Sequence, residues 1–312
     1  MFYTALGDTG ITVSALCFGS LTLGPLQNNL PVDEGSALLA NAFEAGINFV
    51  DTAQLYKTYP YIKNALTKFS GDVVIASKTY AYTREQARDA FEEARRELDR
   101  DYVDIFLLHE QESDLTLRGH AQALDYLYEQ KAKGRIRAVG LSTHAVAGVF
   151  AAVEARLDVV HPLINIAGLG ITDGYRKDME AAVAMAKSAG LGVYTMKALG
   201  GGNLYSKASE ALAYAIGRGH SVAVGMKNQL ELEANLRFFE TGRFTTAEEK
   251  RLFAQTRQNI IEDHCTGCLR CMASCPAKAL HPQGGRVVCD SEACILCGYC
   301  AAQCENFCIK MI

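Results

Sequence analysis

Residues 15–24, Ala15-Leu16-Cys17-Phe18-Gly19-Ser20-Leu21-Thr22-Leu23-Gly24, decide the fold. The first five are apolar or small at successive positions, as in a parallel strand covered on both faces rather than one with a wet side. An open, doubly wound sheet that binds a dinucleotide carries Gly-x-Gly-x-x-Gly in the turn after such a first strand. Residues 18–24 do not fit that turn. A closed barrel is favoured.

Working outward, seven further apolar runs follow at 47–51, 73–78, 103–109, 138–142, 159–165, 192–196 and 222–226, separated by segments of helical period. One helix opens with Thr83-Arg84-Glu85-Gln86, the form of a capping box, and places Ala87, Ala90, Phe91, Ala94 and Leu98 on one face. Another begins near Asp33, carries Leu38, Leu39, Ala42 and Phe43, and stops at Gly46. Eight strand–helix units in about 225 residues match an α/β fold of the (β/α)8 TIM-barrel type. Residues 2–14, with a turn at Gly7-Asp8-Thr9-Gly10, predict a short hairpin before it.

Composition narrows the class. The chain has 312 residues, 49% of them hydrophobic, enough for one large core and a small appended module. A net charge of −4 and a pI near 6.0 give no sign of a nucleic-acid or anionic-membrane surface. The first residues, MFYTALGDTG, lack a basic region and an apolar core, and the long uncharged run at 9–32 is broken by Gly, Pro, Gln and Asn, so it is not the roughly 18 consecutive apolar residues a membrane span needs. A cytoplasmic protein is expected. Of 11 cysteines, only Cys17 precedes residue 265, and the other ten lie between Cys265 and Cys308. A dense cluster of this kind favours metal over disulfides. Cys17 reads as a small core residue.

Barrel enzymes place their chemistry at the C-terminal ends of the strands. The polar residues there are Asp51, Lys78 and His109, with Tyr56 just past Asp51. Each alone has an ordinary reading as a cap, loop, strand-end or core residue. Together they supply a proton-transfer set. A phenol has an ordinary pKa near 10 and is a weak acid at pH 7. A neighbouring ammonium, fixed by a carboxylate, is expected to lower that value, and an imidazole can orient a carbonyl oxygen.

Phe49-Val50-Asp51-Thr52-Ala53-Gln54-Leu55-Tyr56, Ala76-Ser77-Lys78 and Leu107-Leu108-His109 resemble the signature segments of the aldo-keto reductase family, as does Leu6-Gly7-Asp8-Thr9-Gly10-Ile11. The resemblance spans about residues 2–240. It implies Tyr56 as general acid/base, Lys78 and Asp51 as its tuning pair, and His109 as the residue that orients substrate.

The same resemblance implies NADP(H) or NAD(H) laid across the barrel mouth. Residues 225–235, Gly225-Met226-Lys227-Asn228-Gln229-Leu230-Glu231-Leu232-Glu233-Ala234-Asn235, are similar to the family's Gly-x-Arg-x-x-x-Gln-Leu-Glu-Glu-Asn. Gly225, Lys227, Asn228 and Asn235 are its expected contacts, with Lys227 facing a 2′-phosphate as a point charge. Glu231 is acidic where basic or amide groups are usual, and Ala234 replaces a carboxylate. At the nicotinamide end the resemblance points to Gly19, Ser20, Ser142, Asn165, Met196 and Lys197. Thr143 stands where Asn is common, His161 about where Gln is expected, and Met196 where many members stack an aromatic ring. His144 and His161 lie near the rim without a metal-ligand spacing.

The tail contains Cys265-x2-Cys268-x2-Cys271-x3-Cys275-Pro276 and Cys294-x2-Cys297-x2-Cys300-x3-Cys304. Each run matches that of bacterial ferredoxins, in which three thiolates bind one cluster and the fourth reaches across to the other. Cys265, Cys268, Cys271 and Cys304 are therefore assigned to one [4Fe–4S] cluster, and Cys294, Cys297, Cys300 and Cys275 to a second. Zinc suits such close spacing poorly. Glu305 replaces the proline that commonly follows the last ligand, and Cys289 and Cys308 receive no ligand role.

Residues 245–263 predict a connecting helix, opened by Thr246-Ala247-Glu248-Glu249 and striped by Leu252, Phe253, Thr256, Ile260 and Ile261. The expected organisation is a barrel at 1–244, this connector at 245–263, and a small ferredoxin-like α+β domain at 264–312. Gly200-Gly201-Gly202-Asn203 reads as a mobile flap.

The expected activity is an oxidoreductase interconverting a small-molecule carbonyl and alcohol with NAD(P)H, its clusters structural or connected to a redox partner protein. Two alternatives stay open: a reductase fed with electrons by the clusters, using the four residues for protons only, and an electron-transfer subunit of a larger complex.

Overall fold

The computed structural model describes residues 1–312 except Thr256 and Cys297, and describes Phe253 by its backbone alone. The expected roles of Cys297 as a ligand, and of Phe253 and Thr256 in the connector's stripe, therefore lie outside the described residues.

A hairpin of β1 (Tyr3–Ala5) and β2 (Thr12–Ser14) comes first, paired antiparallel with Tyr3 opposite Ser14. Eight parallel strands then close into a barrel: β3 (Leu16–Gly19), β4 (Phe49–Asp51), β5 (Val74–Thr79), β6 (Val103–Leu108), β7 (Ile136–Thr143), β8 (Val159–Pro162), β9 (Gly192–Thr195) and β10 (Ser221–Gly225). The order is sequential and β10 pairs with β3, so no edge is left open. All eight runs expected from the sequence are strands, because helices cover their outer faces and side chains fill the inside.

The hairpin plugs the N-terminal end. Leu6, Ile11 and Val13 are fully buried against Cys17, Phe49, Val74 and Tyr194 within the barrel. Gly7 makes the approach possible, with φ +55° and a backbone so close to Gly190 that a Cβ would lie 2.5 Å from its carbonyl oxygen.

Outside, the helix Arg84–Leu98 begins with the expected capping box, Thr83 accepting from the Gln86 amide. Its face of Ala87, Ala90, Phe91, Ala94 and Leu98 is buried. Fully burying one large apolar side chain such as Phe91 is worth about 1.5–3 kcal/mol, and Phe91→Ala would cost about 3–5 kcal/mol through the cavity it leaves.

The connector departs from expectation. Its helix, capped by Thr245, spans only Thr246–Phe253. Ile260 and Ile261 instead lie in β11 (Asn259–Ile261), which pairs antiparallel with β14 (Ile309–Met311). β-branched side chains suit a pleated surface, and a sheet partner about 50 residues away overrides the helical period. Between these strands lie β12 (Leu280–Gln283) and β13 (Arg286–Cys289), an antiparallel pair. Cys271, Leu280, Val287, Cys300, Ala301 and Ile309 form the small core of this unit.

Residues 200–203 are pinned, contrary to the flap expectation. The Met311 amide donates to the Gly201 carbonyl at 2.9 Å, and Asn203 Nδ2 donates to the Ile309 carbonyl at 2.9 Å. Gly202, at φ +86°, lies under β14 so closely that a Cβ would clash with the Met311 carbonyl oxygen at 1.7 Å. The cysteine-rich unit therefore docks on the loop that follows β9, at the barrel mouth.

Candidate active site and iron–sulfur cavities

β4, β5 and β6 deliver Asp51, Lys78 and His109 to one rim, and a 3-10 turn at Gln54–Tyr56 brings Tyr56 beside them. Lys78 Nζ lies 2.7 and 2.8 Å from the two Asp51 oxygens and donates to the Thr52 carbonyl at 2.8 Å. Both side chains are buried, so the pair stands only because each charge has bonded partners. The ammonium is 4.8 Å from the centre of the Tyr56 ring, and His109 meets that ring edge-on with centroids 5.7 Å apart. Tyr80 stacks on His109 at 4.4 Å.

Asp51 has two further supports that sequence reading missed. Tyr194 donates its hydroxyl to Oδ1 at 2.9 Å, and His161 Nε2 lies 3.6 Å from the same oxygen. The His161 ring stacks on Tyr194 at 3.8 Å, and its Nδ1 bonds the Tyr194 carbonyl at 2.6 Å. A tyrosine inside a buried strand was the available signal, since its hydroxyl must find a partner.

Electrostatics revise one expectation. Burial, followed by the nearby Asp51, Glu110, Tyr80 and Glu262, holds the Tyr56 phenol well above its ordinary value rather than below it. Burial pulls the Lys78 ammonium down, countered by Asp51. Burial, reinforced by Lys78 and neighbouring cations, drops His109 well below its ordinary value. Burial likewise drops His161 to about 4, with Asp51 opposing. At neutral pH the site holds a protonated phenol and neutral imidazoles.

A cavity runs from Asp51 and Tyr56 past His161, Met196 and Lys197 to Lys227, Glu231 and Asn235. Of the expected dinucleotide contacts, Gly19, Met196, Lys197, Gly225, Lys227 and Asn235 line it. Ser20, Ser142, Asn165 and Asn228 do not line it, and their side chains are engaged locally. Ser20 bonds Thr58, and Ser142 accepts from the Glu110 amide. Asn165 braces the loop at 167–169, and Asn228 caps the helix Gln229–Thr241. Phe244, and Leu252, Arg257, Met311 and Ile312 from the chain beyond the barrel, complete the wall.

His144 is half-buried near the rim, its Nε2 3.9 Å from Glu110 and its ring edge-on to Phe307. Phe307 also lies 5.6 Å from Lys197 Nζ. The cysteine-rich unit thus forms part of the roof.

In that unit the thiols sort into two cages. Cys265, Cys268, Cys271 and Cys304 line one cavity, with Cys308 also in its wall, and Cys275, Cys294 and Cys300 line another. The exchange of the fourth cysteine between the two runs is the arrangement a pair of [4Fe–4S] clusters requires. N–H groups point at the sulfurs. The Cys308 amide donates to Cys304 at 3.2 Å, the Ala279 amide to Cys275 at 3.3 Å, and Asn259 Nδ2 to Cys300 at 3.6 Å. Among the described residues no three His, Cys, Asp or Glu side chains are gathered for a single metal ion. Cys289 and Cys308 are pushed up to about 12, chiefly by burial, and remain thiols. Cys17 is fully buried within the barrel. Glu305 pairs with Arg270.

Residues 15–210 match the aldo/keto reductase family, and residues 257–305 match a 4Fe-4S dicluster domain. The chain belongs to the aldo/keto reductase family and carries an iron–sulfur domain at its C-terminal end. It is 28% identical over 214 residues to L-galactose dehydrogenase of Arabidopsis thaliana, an overlap of 64% of this chain and 66% of that protein. It is 25% identical over 202 residues to the aldo-keto reductase YhdN of Bacillus subtilis, covering 59% of this chain and 57% of that one. The chain thus spans slightly less than two-thirds of the length of these relatives. A putative aldo-keto reductase from Pseudomonas aeruginosa superposes with a TM-score of 0.66 at 25% identity, over 77% of this chain and 96% of that one. Among the described residues no helix is long and apolar enough to cross a membrane.

Proposed function

We propose that this protein is an oxidoreductase that interconverts a small-molecule carbonyl and its alcohol with NAD(P)H, and that its C-terminal unit holds two [4Fe–4S] clusters. The supporting observation is the cavity whose lining joins Tyr56 and Asp51 to Lys227 and Asn235, the two ends at which the resemblance places a dinucleotide. When bound, the dinucleotide supplies or accepts a hydride. Cys265, Cys268, Cys271 and Cys304 would hold one cluster and Cys275, Cys294, Cys297 and Cys300 the other, and such a pair would supply one-electron exchange with a redox partner protein.

The chain's own residues handle the proton. Tyr56, kept protonated by its raised pKa, donates its phenolic proton to the carbonyl oxygen as negative charge develops there. Lys78, clamped by Asp51 and Thr52, stands under the ring as a fixed cation that stabilises the phenolate left behind. His109, neutral and held by Tyr80, orients the carbonyl. His161 and Tyr194 hold Asp51 in place. We also propose that the barrel unit spans 1–244 and that β11 belongs to the iron–sulfur unit, which shortens the connector to 245–258.

A second reading, in which cluster electrons reach substrate directly, draws support from Phe307, three residues after Cys304 and packed against His144 and Lys197. Anaerobic single turnover separates the two. Stoichiometric consumption of NADH or NADPH on adding a carbonyl, with cluster absorbance unchanged, supports hydride transfer. Turnover only after dithionite reduction of the clusters, with no dinucleotide bound, contradicts it.

A further inference from the structure

The far end of the cavity, where the proposed dinucleotide would lay its adenosine, is built around a half-buried acid. Glu231 sits in the first turn of the helix Gln229–Thr241, with only 12% of its side chain exposed. A carboxylate so placed must be compensated. Its Oε2 accepts the Lys227 amide at 3.0 Å, its Oε1 accepts Gln255 Nε2 at 3.3 Å, and Arg257 Nη2 lies 3.7 Å from Oε1. The N-terminal turn of the helix adds its favourable dipole. Glu231 is therefore an anchored wall of the site rather than a surface acid free to swing away.

The guanidinium at this end is tied to the acid and to the connector, although its buried Nε has no hydrogen-bond partner among the described residues. The Arg257 guanidinium pairs with Glu231, donates to the Leu252 carbonyl at 3.4 Å, and lies 4.7 Å over the Tyr205 ring. Lys227 and Arg257 face Glu231 and Glu249 across this end of the cavity, so two positive charges meet two negative ones. A phosphate brings about −1.5 to −2 charges at pH 7 and would land beside a carboxylate. A ribose brings hydroxyl donors, which a carboxylate accepts well. The acid-to-ribose bond is the general way proteins choose the unphosphorylated cofactor.

We propose that Glu231 makes this site selective for NAD(H) over NADP(H), accepting the adenosine ribose hydroxyls and excluding a 2′-phosphate. The inference rests on the dinucleotide reading above and reverses the expectation that Lys227 faces a 2′-phosphate. Arg257 comes from the connector, so the selectivity filter is shared between the barrel and the segment leading to the iron–sulfur unit.

The test is equilibrium binding of NADH and NADPH to the full chain with its clusters intact, followed anaerobically by nicotinamide fluorescence. NADH is expected to bind the unaltered protein at least about tenfold more tightly than NADPH. Glu231→Gln keeps the shape and the amide bond but removes the charge, and is expected to tighten NADPH about tenfold while moving NADH less than about threefold. Equal or tighter binding of NADPH to the unaltered protein overturns the inference while leaving the dinucleotide reading standing, and it does so even if the variant fails to fold. An unchanged ratio in a folded Glu231→Gln variant overturns it as well. Binding of neither nucleotide removes both readings together.

Discussion

Tyr194 and Asp51, 143 positions apart in the chain, are joined by a 2.9 Å hydrogen bond from the phenolic hydroxyl to Oδ1. The bond crosses the barrel interior from β9 to β4 and holds the carboxylate that in turn holds Lys78. A hydrogen bond to a buried charged group contributes about 1.5–3 kcal/mol. Tyr194→Phe is expected to lower stability by that amount in urea unfolding. It should reduce kcat while leaving the dinucleotide Kd in place, because it acts through Asp51 and Lys78. A variant with unchanged kcat would show that the bond is structural only.

The pH dependence of carbonyl reduction follows from the state of Tyr56. The acid must be protonated to act, and burial with surrounding carboxylates holds its pKa above the ordinary 10. Reduction is therefore expected to proceed without loss from pH 7 to pH 9. An apparent pKa of about 7–8 on the alkaline limb of the kcat profile would show that Lys78 overrides burial.

Acid should destabilise the barrel in a defined window. His161 titrates near 4 in the folded chain against about 6.5 unfolded, so between those values the unfolded state binds the extra proton. Its contribution is complete above pH 6.5 and is lost as pH falls toward 4, by about 3 kcal/mol at the limit. Urea midpoints at pH 7, 5.5 and 4.5 should fall, and His161→Gln should fall less steeply. Equal slopes in the two proteins would remove His161 as the cause.

Asn259 reaches the Cys300 sulfur at 3.6 Å from the strand that leaves the connector. Hydrogen bonds to ligand sulfurs stabilise the more negative, reduced cluster and raise its potential. Asn259→Leu should lower the midpoint of the cluster assigned to Cys275, Cys294, Cys297 and Cys300, and leave its partner unmoved in an EPR-monitored redox titration. An equal shift of both would argue for general loosening of the domain.

The barrel was legible because strands buried on both faces leave continuous apolar runs. Asp51, Lys78 and His109 were legible because they end such runs. What the sequence hid were partnerships between distant segments. Nothing local marks His161 and Tyr194 as the cradle of Asp51. Ile260 and Ile261 carry a helical spacing, and only their pairing with Ile309–Met311 makes them a strand. Three glycines and an asparagine suggest a flap until β14 is seen lying across them. Ser142 and Asn165 have the residue types of a ligand contact, but their hydrogen bonds stay within the neighbouring backbone.

The central claim is that the Tyr56 phenol, beside the Lys78–Asp51 pair, gives the proton while a bound dinucleotide gives the hydride. Tyr56→Phe tests it in a single-turnover experiment with a reducible carbonyl. The account predicts a fall in the hydride-transfer rate of about 10²–10⁴-fold with the dinucleotide Kd unchanged. Transfer at the original rate in the folded variant would contradict it.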